Sequence, residues 1–302
     1  ILISGGGRCN VLPSSSKHTD FHTDGSPNTL RKILAAWPLR DVLAFFQDEL
    51  DVPLVLEEET GKLFPESNRA RTVLDALLTA VEERGVTVRF GARVTSLARE
   101  GEAGQVGLES GERLTAGRVI LATGGLSVPA TGSDGTGLNL ARALGHTVVP
   151  TYPALTPLTT SSAAHKNLAG VSLTATVSVQ DPHSGKQLSF TDGFLFTHRG
   201  YSGPAVLNIS HVPVRSTFVG GPRPAVRVQW TDLSAEEWDR RVQQARGSLG
   251  SLMRGHLPER LMTALIGELG LTAVMADQLR REDRQRLVEA LTNYPLPWSG
   301  HE

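Results

Sequence analysis

The sequence predicts an α/β fold whose first part carries a parallel sheet and whose second part is β-rich and then helical. Three observations predict it. A helical repeat over Ser67–Arg84 runs into the apolar segment Val86–Phe90, a helix-then-strand unit of the parallel kind. The run Arg118-Val119-Ile120-Leu121-Ala122 is almost continuously apolar, as a strand covered on both faces reads. Near Pro150, Pro153 and Pro157 the texture changes, which marks a crossing between domains.

Each element follows in order. Residues 1–28 are rich in glycine, serine and histidine and read mostly as loop. Thr29–Ala36 is a short helix stopped before Pro38, and Arg40–Leu50 a second, with Val42, Leu43, Phe46 and Leu50 on one face. Gly61–Pro65 is extended. Ser67 is the expected N-cap of a helix carrying Ala70, Val73, Leu74, Leu77, Leu78 and Val81, ended by Gly85. Ala92–Ala98, Gln105–Glu109 and Arg113–Ala116 form a small meander with Ser110-Gly111 at a turn. A helix over Gly137–Leu144 closes at Gly145. Strands are expected at Ser172–Val179, Phe194–Thr197, Val206–Ser210 and Ala225–Gln229. Ser234-Ala235-Glu236-Glu237 is a capping box that opens a helical stretch reaching Leu291.

Composition narrows the function. The chain has 302 residues, 30 Lys+Arg against 31 Asp+Glu, and a single cysteine, Cys9. A near-neutral balance argues against a nucleic-acid partner, since phosphate binding draws on a basic excess. One cysteine excludes an internal disulfide or cysteine-zinc framework and suits a reducing, cytoplasmic compartment. No apolar run approaches the roughly 20 residues that span a bilayer, so no membrane partner is expected. His18 and His22 are four apart, but their Thr, Asp and Ser neighbours indicate loop, and no metal site is expected.

Four motifs are candidates for chemistry. In Ile3-Ser4-Gly5-Gly6-Gly7-Arg8-Cys9-Asn10 the glycines let backbone approach a ligand closely, and Arg8 supplies a fixed cation. A bare glycine run is usually a surface loop; Arg-Cys-Asn beside it tips the balance toward a site. The run Val119–Ala122 opens into Thr123-Gly124-Gly125 at the end of the expected strand, where α/β sheets bind ligands. Thr131-Gly132-Ser133-Asp134-Gly135 opens a helix, whose positive end favours an anion. Phe196-Thr197-His198-Arg199-Gly200-Tyr201-Ser202-Gly203-Pro204 groups an imidazole, a phenol and a hydroxyl; Ser202 lies outside any Gly-x-Ser-x-Gly elbow, so a hydrolase is disfavoured.

Taken in this order, with Gly61-x-x-Phe64-Pro65-x-Ser67 and Gly145-His146 followed by Pro153-Ala154-Leu155-x-Pro157-Leu158, the motifs resemble the BaiN-like FAD-dependent oxidoreductases, also labelled aminoacetone-oxidase-like flavoproteins, over roughly residues 1–298. The resemblance implies a glutathione-reductase-type (Rossmann-like) FAD domain with an inserted β-rich domain that carries a helical subdomain. On it, residues 1–152 are a partial FAD domain, 153–231 the β-rich barrel-like insert, 232–292 the helical subdomain and 293–302 a return segment toward the FAD domain. It places Ser4, Gly5, Gly6, Gly7, Arg8, Cys9 and Asn10 along FAD, with Arg8 nearest its phosphates or ribityl chain. Val94 is to meet adenine through its backbone, and Thr123, Gly124, Gly125, Thr131, Gly132 and Ser133 are to line the flavin.

The family's first strand with its Gly-x-Gly-x-x-Gly turn, and its last glycine-rich segment, have no counterpart in the 302 residues, so the FAD domain is expected to be incomplete here. The expected activity is hydride transfer at flavin N5 between NAD(P)H, or another acceptor, and a small organic substrate, with His198 as the candidate catalytic group. The alternative, from another class, is a non-catalytic ligand-binding or interaction protein with an incomplete flavin pocket. Modification of tRNA, which some flavoproteins of this fold perform, is a related reading that the near-neutral charge does not support.

Overall fold

The computed structural model describes residues 1–302 except Asp24, Ala273, Val274 and the side chain of Thr19. The chain divides into two compact units, Ile1–Ser96 with Gln105–Ala116, and Leu97–Gly104 with Gly117–Glu302.

In the first unit, β1 (Leu12–Pro13) precedes α1 (Pro27–Ala36), α2 (Leu39–Ala44), β2 (Leu54–Glu57), β3 (Lys62–Pro65) and α3 (Ala70–Glu83). Helix α1 starts two residues earlier than its periodicity suggests. Ser26 Oγ accepts from the Thr29 N–H at 3.4 Å, and Pro27, which has no N–H to lose, takes the first turn. The strands form an antiparallel sheet in the order β1-β3-β2, with Leu12 opposite Leu63 and Val55 opposite Phe64. Cys9, Leu50, Val52, Leu54, Ala70, Val73 and Ala80 form the core beneath it. The meander forms as expected, as β4 (Val94–Glu100), β5 (Ala103–Leu108) and β6 (Arg113–Ala116).

Three expectations are corrected along residues 67–122. Ser67 does not cap α3: the N-cap is Arg69, without a side-chain bond, and Ser67 Oγ instead pairs with Thr72 Oγ1 at 2.7 Å. Val86–Phe90 is not a strand, and Phe90 is 82% exposed. Nor is Arg118–Ala122, where Ile120 is 89% exposed. Neither run belongs to any of the described sheets, and an extended segment without ladder partners is not a strand, however apolar it reads. Among the described residues the ladders between strands with a recorded register are antiparallel.

The second unit contains α4 (Thr136–Ala143), β7 (Leu158–Thr159), α5 (Ala163–Lys166), β8 (Ser172–Gln180), β9 (Gln187–Phe196), β10 (Gly200–Ser202), α6 (Pro204–Ile209), α7 (His211–Val219) and β11 (Val226–Gln229). Then follow α8 (Ala235–Gln244), α9 (Leu249–Met253), α10 (Glu259–Glu268), α11 (Arg281–Thr292), β12 (Tyr294–Pro295) and β13 (Gly300–His301). Val206–Ser210, expected as a strand, belongs to α6. Pro204 fixes its first turn, and Ala205, Val206 and Ile209 point into the core at helical spacing. The Ser234 capping box stands: Ser234 Oγ accepts from Glu237 N–H at 3.2 Å, and Glu237 Oε2 accepts from Ser234 N–H at 2.8 Å.

Seven strands order as β12-β11-β8-β9-β10-β7-β13. Laid flat, such a sheet is roughly 29 Å wide at about 4.8 Å per strand. Its two edge strands are joined only through Leu296–Ser299, a link that reaches at most about 18 Å. The sheet is therefore curled into an open barrel. Tyr294–Pro295 and Gly300–His301 form the two edges of this sheet, where their N–H and C=O groups find ladder partners. One core runs through strands and helices alike, from Phe194, Phe196, Tyr201 and Trp230 to Trp238, Leu261 and Leu287. The β-rich and helical stretches thus share their interior.

Candidate functional site

In the first unit, Gly5, Gly6 and Gly7 follow one another with φ of 56°, 68° and 87°. Side-chained residues avoid three successive left-handed steps, so the glycines are what permits this turn. The Arg8 N–H and Cys9 N–H close it onto the Gly5 and Ser4 carbonyls at 3.3 and 2.9 Å. A Cβ added at Gly6 would meet nothing within 4 Å, so bare backbone faces outward there. Arg8 Nη1 donates to Glu57 Oε1 at 2.8 Å, and its guanidinium lies 4.1 Å from the centre of the Phe64 ring. Hydrogen bonds from Thr60 and then Arg8 hold the Glu57 carboxyl below its ordinary pKa. Arg8, expected on a cofactor phosphate, thus already has a carboxylate partner.

Cys9 departs from its expected place on the ligand. It is buried in the core, which pushes its thiol pKa up, and it holds φ 65°. Asn10 is exposed beside the turn, and Val94 opens β4 half-buried.

In the second unit two separate motifs meet. The Gly135 N–H donates to the Gly125 carbonyl at 3.1 Å. A Cβ on Gly124, whose φ is 72°, would sit 3.1 Å from Ser133 Oγ, and one on Gly137 would overlap Thr123 Oγ1. The structure therefore brings Thr123, Gly124 and Gly125 onto Ser133 and the first turn of α4. Thr131 and Gly132 lie in the preceding tight turn, where Thr131 Oγ1 donates to the Val128 carbonyl at 2.8 Å. The anion expected at the α4 N-terminus is internal: Asp134 Oδ1 accepts from the Thr136 N–H at 3.0 Å and from its hydroxyl at 2.6 Å.

His198 sits exposed on the turn between β9 and β10. The histidine that the fold does enclose is His165, only 2% exposed and missed by sequence reasoning. The Tyr294 hydroxyl donates to Glu268 Oε2 at 2.8 Å, and His165 Nε2 lies 2.8 Å from that hydroxyl and 3.2 Å from Glu268 Oε1. With Nε2 donating, Nδ1 accepts from the Tyr201 hydroxyl at 2.7 Å. Burial pushes both phenol pKa values up, so both hydroxyls stay protonated donors. The His165 hydrogen bond, first of several causes, holds Glu268 below the ordinary carboxylate value. Four elements meet in this cluster, where His165 and Tyr201 are buried and Glu268 reaches the surface.

The chain matches the family described as HI0933-like protein Rossmann domain over residues 1–275. It is 31% identical over 305 residues to the ribosomal RNA dihydrouridine synthase of Escherichia coli, an alignment covering 100% of this chain and 73% of that protein. It is 32% identical over 222 residues to the 3-dehydro-bile acid delta(4,6)-reductase of Clostridium scindens, covering 73% of this chain and 52% of that protein. A ribosomal RNA dihydrouridine synthase of Haemophilus influenzae matches at 30% over 217 residues, again 52% of its own length. These matches define a class, Rossmann-domain flavoproteins of oxidoreductase type. The chain belongs to the HI0933-like family. No helix among the described residues is long and apolar enough to cross a membrane.

Proposed function

We propose that the protein is a flavin-dependent reductase that saturates a C=C bond conjugated to a carbonyl. The names of two relatives support the reaction class. Dihydrouridine is uridine with its C5=C6 bond saturated, and a delta(4,6)-reductase acts on ring double bonds of a 3-oxo steroid. In both, the bond saturated is conjugated to a carbonyl, so that hydride would add at its far carbon and a proton would complete the saturated bond. Bound FAD would supply the hydride from N5, with NAD(P)H as the reductant that restores it. A synthase and a reductase among the relatives disfavour the non-catalytic alternative.

The observation that carries the cofactor assignment is the glycine turn at Ser4–Gly7. Its outward backbone at Gly6 offers a close approach that suits a phosphate. Arg8, fixed by Glu57 and Phe64, is a preorganised cation beside it. In this reading Ser4, Gly5, Gly6, Gly7 and Asn10 bind along FAD, Val94 meets adenine through its backbone, and Thr123–Gly125 with Thr131–Ser133 line the flavin. His198, exposed and unenclosed, remains the candidate for proton delivery; His198→Asn should lower turnover without lowering flavin content.

The test is optical. The protein reconstituted with FAD should show flavin absorbance, bleach with NAD(P)H under anaerobic conditions, and recolour on adding a substrate with a conjugated C=C. Recolouring no faster with the conjugated compound than with its saturated analogue would overturn the reading.

A further inference from the structure

We propose that the cleft between α1 and the segment Leu12–Phe21 of the first unit binds an aromatic carboxylate, a flat carbocyclic ring bearing one negative charge. The site lies outside the residues assigned to the flavin and does not depend on the reductase reading. Helix α1 and its C-cap carry Leu30, Ile33, Leu34 and Trp37 at helical spacing, the pattern of a helix that covers a core. Yet none of the ten residues of α1 is buried, and Ile33 is 64% exposed. The first unit leaves apolar surface of this helix open.

That surface borders a cleft of about 560 Å³. Small-molecule sites run from about 300 to 1,000 Å³, so the size suits one compact ligand. Leu12, Leu34, Leu39 and Val42 give the cleft an apolar lining, and Phe21 and Trp37, 43% and 53% exposed, offer ring surface. The Trp37 ring is braced. It meets Phe45 edge-on with the ring centres 5.6 Å apart, and Phe45 meets Phe46 in the same way at 5.4 Å. An indole held by its neighbours yet exposed is a platform on which a flat ring can stack at little cost in rotamer freedom.

Lys17, His18 and Arg31 line the same cleft. Among its described lining residues there is neither a carboxylate nor a member of Ser4–Asn10. Two acids close in sequence are engaged locally: Asp20 Oδ2 accepts from the Lys17 N–H at 2.7 Å, and Asp41 Oδ1 accepts from Arg40 Nε at 3.0 Å. Arg31 Nη2 donates to Asn28 Oδ1, a neutral partner that leaves the guanidinium its charge and further donors. Cations beside an apolar slot select a ligand with one anionic end. The apolar lining selects its body. A nucleobase would press its hydrogen-bonding edge against leucine and valine, which is costly without a partner, whereas a carbocyclic ring has no such edge. An acyl chain would gain less from the braced indole and would lose more rotamer freedom on binding.

Calorimetric titration of the protein, without FAD, with 2-naphthoate tests this. Binding is expected, with the neutral analogue 2-naphthalenemethanol about tenfold weaker or more. Lys17→Gln with Arg31→Gln changes two exposed side chains. This double variant should weaken 2-naphthoate about tenfold and leave the neutral analogue within about twofold. Trp37→Leu keeps an apolar side chain but removes the stacking surface, and should weaken both ligands alike. Absence of naphthoate binding, equal affinity for decanoate or for uridine monophosphate, or unchanged affinity in the double variant would each overturn the proposal. Competition by FAD would overturn it as well, because the naphthoate would then occupy the flavin site. The bleaching and recolouring that test the reductase reading do not turn on any of these outcomes.

Discussion

Arg8 sits between two demands: it neutralises Glu57, and it flanks the glycine turn that suits a phosphate. The two partners compete for one guanidinium. Arg8→Ala should weaken FAD binding by about 1–3 kcal/mol, the range of a charge-assisted hydrogen bond. Glu57→Gln should tighten it, because it releases the guanidinium and removes a carboxylate near the phosphates. A fluorescence titration of FAD reads both, and two unchanged affinities would move the cofactor away from this turn. Glu268 gives a prediction in pH. Its carboxyl is held below the ordinary value in the folded protein, so its contribution is present above about pH 4.3 and is lost as pH falls through the lower folded value. Glu268→Gln removes that contribution. Denaturation midpoints of the two proteins should differ near neutrality and converge in acid; a constant difference across pH would mean that the carboxylate is not what matters.

At the scale of elements, the segment Tyr294–His301 holds the open barrel, and Trp298 is its anchor. The ring is 7% exposed, and its Nε1–H donates to the Pro224 carbonyl at 3.1 Å. Trp298→Ala should cost about 3–5 kcal/mol and loosen both edge strands together. Hydrogen exchange should then rise in β7 and β11 alike, and a rise in β11 alone would mean that the two edges are not coupled through this segment. Such couplings mark how far the sequence could be read. Helices α1, α3, α4 and α8 and the β4–β6 meander show in local periodicity and turn chemistry. Periodicity records which residues seek burial, but not what covers them. Arg118–Ala122 therefore read as a buried strand, and Val206–Ser210 as a strand although Val206–Ile209 belong to a helix. Thr123–Gly125 and the glycine turn before α4 each stand out in the sequence as motifs, but their spacing does not say that they touch. The His165 cluster was not legible: its partners lie 36 and 129 residues away, and no local spacing announces them.

Over the whole molecule, the two units differ in what holds them. The core of the first is small, and Cys9, Ala70, Ala80 and Val73 supply much of it. The second buries Trp230, Trp238, Phe194, Phe196 and many leucines in one interior. Burying one large apolar side chain contributes roughly 1.5–3 kcal/mol, so the second unit has far more to lose before it opens. Regions with few buried apolar groups open at lower free energy. The sequence provides a separate reporter for each unit. The single cysteine, Cys9, lies in the first core at 7% exposure. Of the four tryptophans, Trp230, Trp238 and Trp298 are buried in the second unit, whereas Trp37 in the first is 53% exposed and changes little on unfolding. In a guanidinium series without added FAD, thiol labelling of Cys9 should begin at lower denaturant than the red shift of tryptophan fluorescence. Added FAD should move the labelling curve toward the fluorescence curve, because a ligand bound at the glycine turn stabilises the unit that holds it. Coincident curves without FAD would mean that the two units unfold as one cooperative body. A labelling curve that FAD does not move would argue against a binding surface at Ser4–Asn10.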